Sequence, residues 1–277
     1  MRVIKSKEII NTVADLCRQA AYFLPADILK AIKLSVKKEK GLTKKILELT
    51  LENAQIAKGQ VFPLCQDTGS AILFIEIGQD IHIDGLLENA LQEGIKKGFK
   101  EFYLRKSIVS DPIFNRKNTQ TNTPAIIHYK IVKGDKLKIN LILKGGGAEN
   151  KSQIKMFNPT ASKQEIIDFV LSVVKNAGSN ACPPFVIGIG LGGTFDYAAE
   201  LSKQALLRDK PNKNKNYQNL EQEILKAINK TNIGAQGFGG KVTALKVYIE
   251  YAPCHIASLP CAVNICCHSA RKAKAVL

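Results

Sequence analysis

The sequence predicts an α+β fold: a helical front over about residues 1–60, then mixed sheet and helices over about 61–277, in one body or two lobes. Apolar residues repeat at helical spacing through the first sixty positions, after which short apolar runs bounded by glycine alternate with further helical stripes. Composition agrees, since 277 residues with 45% apolar and 23% charged side chains suffice for a buried core in one large or two medium domains. That apolar share excludes disorder of the whole chain.

Ile9, Ile10, Val13, Leu16, Cys17 and Ala20 form the first helical stripe, and Ile28, Leu29, Ile32 and Val36 form a second after Pro25. A third helix is expected from about Leu42 to Lys58, with Gly59 just past its end. The run Ala71–Ile77 between Gly69 and Gly78 suits a buried strand, and Leu87, Ala90, Leu91, Ile95 and Phe102 return to helical spacing. Between Ile126 and Leu143 two strand-like runs flank Lys133-Gly134-Asp135, which reads as a β-hairpin. Ser162-Lys163-Gln164-Glu165 is a capping box opening a helix that ends near Gly178. Phe185–Ile189 reads as a buried strand, followed by glycines and a helix through Ala205. Lys210–Asn216 is a polar loop, and Leu245, Val247, Ile249 and Tyr251 alternate with polar residues as a half-buried strand.

No apolar run approaches the roughly 18–20 residues that span a bilayer. The first eight residues lack the apolar stretch of a signal peptide, so the expected location is the cytoplasm, with no membrane partner. Two features stand out. Forty Lys+Arg against 24 Asp+Glu leave a formal charge of +16, which suits an anionic ligand or nucleic acid. Seven cysteines in such a chain point to buried, catalytic or metal-bound thiols rather than disulfides.

Cys65 stands in Pro63-Leu64-Cys65-Gln66-Asp67-Thr68-Gly69, a polar turn before a strand, where Asp67 either serves a site or bonds its own backbone. Cys182 precedes two prolines that stiffen its loop. Cys254, His255, Cys261, Cys266, Cys267 and His268 crowd the C-terminal region. Zinc would need four converging ligands, and there is no Cys-x-x-Cys pair. A cluster held by thiolates from distant segments suits the spacing better. Gly188-Ile189-Gly190-Leu191-Gly192-Gly193 matches a dinucleotide fingerprint, yet the acidic residue expected about 20 positions on is replaced by a polar loop, so these glycines read as close strand–helix packing. Gly145, Gly146 and Gly147 suggest a backbone that approaches something closely, and Arg105 has the fork to clamp a carboxylate.

Together, Pro63–Gly69, Lys144–Asn150, Cys182-Pro183-Pro184, His255–Pro260, Ala262-Val263-Asn264 and Cys267-His268 resemble, in order and over nearly the whole chain, the α subunit or N-terminal half of class I fumarate hydratases and the similar L(+)-tartrate dehydratases. The resemblance implies a hydro-lyase with a 4Fe-4S cluster whose fourth iron stays open, most simply a fumarate hydratase and alternatively a tartrate dehydratase. It implies Cys65, Cys182 and Cys267 as cluster ligands. Gln66, Arg105 and Gly146 match substrate-binding positions, with Asp67 and His255 as the catalytic candidates. Cys261 and Cys266 stand where relatives are expected to carry other residues. In the single-chain enzymes a second half adds basic residues and a threonine to the pocket. The resemblance therefore implies a separate β subunit completing the site in an αβ or α2β2 assembly, acting on a small dicarboxylate. A basic, zinc-containing nucleic-acid-binding protein is the remote alternative, weakened by 6% aromatic residues, no Trp and no single basic stripe.

Overall fold

The run of apolar residues before Gly78 becomes β2 (Ser70–Gly78), an inner strand in a computed structural model that describes residues 2–277. The class is α+β, and the chain divides into two compact units. The first contains the chain up to Pro25, then Ala54–Gly146 and Arg271–Leu277; the second contains Ala26–Asn53 and Gly147–Ala270.

In the first unit, β1 (Arg2–Lys5) pairs in parallel with β3 (Ile81–Asp84), and a four-stranded sheet runs β10 (Lys272–Val276), β5 (Leu137–Lys144), β2, β4 (Ile126–Val132). Two helices, α1 (Ser6–Tyr22) and α4 (Leu87–Glu101), bury their apolar stripes against one face of this sheet. Val13, Leu16, Leu91, Ile95 and Phe99 meet Leu73, Ile75, Ile139 and Leu141 there. Each such side chain contributes roughly 1.5–3 kcal/mol relative to exposure. Strand β1 has only Ile4 buried, too weak a pattern to interrupt the expected helical front.

The expected hairpin between the runs at Ile126 and Leu143 does not form. Instead β2 lies between them, parallel to β4 and antiparallel to β5. The Lys133–Lys136 segment arches over the end of β2, with Gly78 N–H donating to Lys136 O and Asp80 N–H to Gly134 O. A strand as apolar as β2 gains more from two flanking partners than from an edge position, and local turn chemistry yields to that.

In the second unit, α2 (Ala26–Val36), α6 (Lys163–Ala177), α7 (Phe195–Ala205) and α8 (Lys215–Asn229) accompany a four-stranded sheet. Its order is β6 (Gln153–Phe157), β9 (Leu259–Cys266), β7 (Phe185–Gly192), β8 (Ala244–Ala252). Helix α3 (Gly41–Lys58) runs out of this unit into the first. The capping box forms in full, Ser162 Oγ accepting from Glu165 N–H while Ser162 N–H donates to Glu165. The Gly188–Gly193 run lies mostly within β7, with α7 close behind: a Cβ at Gly190 would stand 2.0 Å from Ala198 O. These glycines are a packing device, as their sequence context suggested. Strand β8 is more buried than its alternation implied, because Tyr248 is covered by the Arg208 guanidinium and reaches Asp27. Among the described residues no helix is long and apolar enough to cross a membrane.

Candidate active site

The Cys65–Gly69 turn is held from below by Leu64, whose N–H donates to Ala21 O and whose side chain is buried against Ala54 and Ala57. Gly69 is left-handed at φ +83°, and a Cβ there would meet Lys144 O at 2.1 Å, so the turn lies directly against the end of β5. Asp67 Oδ2 accepts the Gly146 N–H at 2.9 Å, at the start of the single helical turn α5 (Gly146–Glu149). The Asp67 carbonyl accepts from Arg271, a buried arginine just before β10. Thr68 is fully buried and its hydroxyl accepts the Arg105 N–H at 3.2 Å. Asn122 closes the arrangement, its amide donating to Gly69 O and accepting from Ser107 N–H.

The first unit thus brings together Cys65, Gln66, Asp67, Arg105 and Gly146, which the sequence distributes over eighty positions. Gln66 and Arg105 present exposed side chains, while Leu104 anchors the latter's backbone in the core. Cys65 is half-buried, its thiol 3.5 Å from Gln66 Oε1.

The second unit holds Cys182, Cys267 and His255. Cys182 is exposed and left-handed at φ +53°, at the end of the Gly178–Ala181 turn. Its carbonyl accepts the His268 N–H at 3.3 Å and stands 3.1 Å from His268 Nδ1, which ties the Cys182 loop to the residue after Cys267. Gln236 adds a second tie, its main chain donating to Pro183 O at 2.8 Å and its amide lying 3.2 Å from His268 Nδ1. Cys267 is half-buried with Ser269 Oγ 3.0 Å from its sulfur. His255 sits in an exposed turn where Nδ1 accepts the Ala257 N–H at 3.1 Å, so the neutral ring carries its proton on Nε2.

Burial sorts the cysteines. Cys17 and Cys261 lie inside the two cores, where burial raises both thiols, Cys261 to about 12. Cys266 is buried at the end of β9, and Cys254 is exposed beside His255. Thiolates that bind metal need a polar, partly accessible setting, which Cys65, Cys182 and Cys267 have. Among the described residues no three His, Cys, Asp or Glu side chains form a group for a single metal ion. The thiolates of an iron–sulfur cluster each bind a different iron and need not converge on one point. Cys65 belongs to the first unit and Cys182 and Cys267 to the second, and each is by itself a thiol of the kind a cluster takes.

Sequence reasoning singled out neither Arg271, Asn122 nor Gln236. Asn122 sits at φ +60°, a conformation asparagine tolerates, and its Asn-Thr-Pro context was the one available signal. The buried Arg271 left none, since lysine and arginine are ordinarily on the surface.

The turn that gathers a thiol, a fixed carboxylate and the Arg105 segment is equipped for acid–base chemistry, and the glycines of β7 serve packing. The chain belongs to the fumarate hydratase (Fumerase) family, whose family model matches residues 10–276. It is 41% identical to the "Putative L(+)-tartrate dehydratase subunit alpha" of Methanocaldococcus jannaschii, over 96% of each chain. It is 27% identical to the L(+)-tartrate dehydratase subunit alpha of Escherichia coli and to that of Shigella sonnei, over 96% of this chain and 89% of each relative.

Proposed function

We propose that this chain is the cluster-bearing α subunit of a two-subunit hydro-lyase that adds water to, or removes it from, a four-carbon dicarboxylate. Interconversion of fumarate and malate is the leading reading. Dehydration of L(+)-tartrate stands beside it, supported by the names of the relatives. The observation that carries the proposal is the Asp67–Gly146 hydrogen bond, which fixes a carboxylate next to Cys65, in a chain that belongs to the family over nearly its whole length.

Cys65, Cys182 and Cys267 would hold the 4Fe-4S cluster, and when bound it supplies Lewis acidity toward substrate oxygens. Arg105 offers two parallel N–H groups to a substrate carboxylate, a geometry an ammonium cannot reproduce. Gln66 presents an exposed amide from the same turn. With Oδ2 held by Gly146, Asp67 has Oδ1 to take the proton lost from carbon on dehydration, or return it on hydration. His255 donates from Nε2 to a substrate oxygen. Both substrate carboxylates are anions, so part of the basic surplus serves to attract them.

The test is anaerobic co-expression with the β subunit of the tartrate dehydratase type from the same genome. Fumarate absorbance and oxaloacetate formation from tartrate are followed separately. Asp67→Asn should lower kcat by about 10²–10⁴-fold while leaving bound iron unchanged. Turnover of neither substrate by an iron-loaded pair would overturn the proposal.

A further inference from the structure

The connection between α4 and β4, residues 102–125, has no secondary structure of its own beyond an isolated bridge, and exceeds the roughly 12–15 residues usual for such loops. It is nevertheless firmly built. Val109 and Asn118 form an antiparallel bridge, Ser110 N–H donates to Lys117 O, and Thr119 N–H donates to Ile108 O. At the root, Thr68 and Asn122 bind it to the turn that carries Gln66 and Asp67.

The tip is fixed by Asp111. Its Oδ1 accepts N–H groups from Ile113, Phe114 and Asn115 at 2.8, 2.5 and 3.1 Å, and these bonds hold its carboxyl below the usual carboxylate range. The same turn drives two large apolar side chains outward: Phe114 is 92% exposed and Ile113 71%. Single exposed apolar residues are ordinary, but an adjacent pair on a rigid tip has no way to fold back and cover itself. Along residues 102–125 the charges are one-sided, with Arg105 and Lys106 near the root and Arg116 and Lys117 beside the tip against Asp111 alone, whose carboxylate is already occupied.

We infer that this connection is the docking finger for the separate β subunit, with Phe114 and Ile113 as anchors in an apolar pocket rimmed by carboxylates. The inference rests on the two-subunit reading above. The β subunit is the favoured occupant because the finger is rooted in the turn that carries Asp67, where a second chain must contribute the missing groups. Charge complementarity points the same way, since a second copy of this chain would bring the same basic side chains to the contact. A rigid aromatic anchor loses little conformational freedom on binding, which is how a small contact carries most of an interface's affinity.

The full-length chain and the β subunit from the same genome would be titrated calorimetrically, under anaerobic conditions. Phe114→Ser and Ile113→Ser should each weaken association by at least about tenfold. Phe114→Leu should stay within a few-fold of wild type, and all three variants should melt with the wild-type chain, because neither side chain supports the fold. Arg116→Glu combined with Lys117→Glu should slow association most at low salt. Undiminished affinity in Phe114→Ser, or no association of the wild-type chains, overturns the inference. So does a loss of self-association by this chain alone, which would make a second copy the occupant. The hydro-lyase reading fails separately: a pair that assembles through the finger yet turns over neither substrate sinks that reading and leaves the docking surface standing.

Discussion

Cys266 and Cys267 are neighbours in the chain, yet the end of a strand falls between them and gives them different surroundings. Cys266 ends β9 with its thiol buried, whereas Cys267 lies just past the strand, half-buried and beside the residue that binds the Cys182 carbonyl. Replacement of Cys65, Cys182 or Cys267 by Ala should cost the anaerobically purified chain most of its iron and broad visible absorbance. Cys266→Ala should keep both, and a Cys267→Ala variant with full iron would refute the ligand set. At this scale the sequence was informative wherever a residue's chemistry is unusual for its type, as for Cys65, Asp67 and Cys182 in stiff polar turns. It was silent where burial creates the role. Nothing local distinguishes Arg271 from the thirty-nine other lysines and arginines, or announces that its side chain reaches back to Asp67.

Local chemistry determined the elements that depend on their own few residues. The capping box at Ser162 formed as its four residues require, because both hydrogen bonds close within one turn. Ser162→Ala should destabilise the chain by about 1 kcal/mol in a denaturant titration. The Glu165 carboxyl is held below its ordinary value, first by the Ser162 N–H and then by the Ser162 hydroxyl. With the folded value depressed, the contribution is present above the unfolded carboxylate range and is lost as pH falls through the lower folded value. The gap in melting temperature between wild type and Glu165→Ala should therefore be widest near neutrality and close as pH falls below the unfolded carboxylate range. A gap that stays constant would remove the ionised carboxylate from the account. The hairpin failed because its outcome was not local. Lys133-Gly134-Asp135 is a sound turn in isolation, but the two strands it joins each find a better partner in β2, from sixty positions upstream.

Across the whole molecule, the two units draw on interleaved stretches of chain, so no composition shift could mark them. The helical front is divided between them, with α1 in the first unit and α2 in the second. The candidate residues follow the same division: Gln66, Asp67, Arg105 and Gly146 in one unit, His255, Cys182 and Cys267 in the other. Motif order made these residues legible as a set, while their assignment to units was not. The +16 charge is also a property of the whole, since 40 basic side chains outnumber 24 acidic ones even where ion pairs such as Lys163–Glu223 and Lys138–Glu76 form. Such a field would act on the proposed dicarboxylate before it binds. Raising ionic strength from about 0.01 to about 0.15 M shortens the screening length from about 30 to about 8 Å. In the assembled enzyme kcat/KM should then fall several-fold while kcat holds, because steering affects encounter and not the bound state. Substituting surface lysines remote from the site should flatten that salt dependence in proportion to the charge removed. If kcat/KM is indifferent to salt, the basic surplus is a solvated surface with no part in capture, and the anion affinity rests on Arg105 and the partner's own groups.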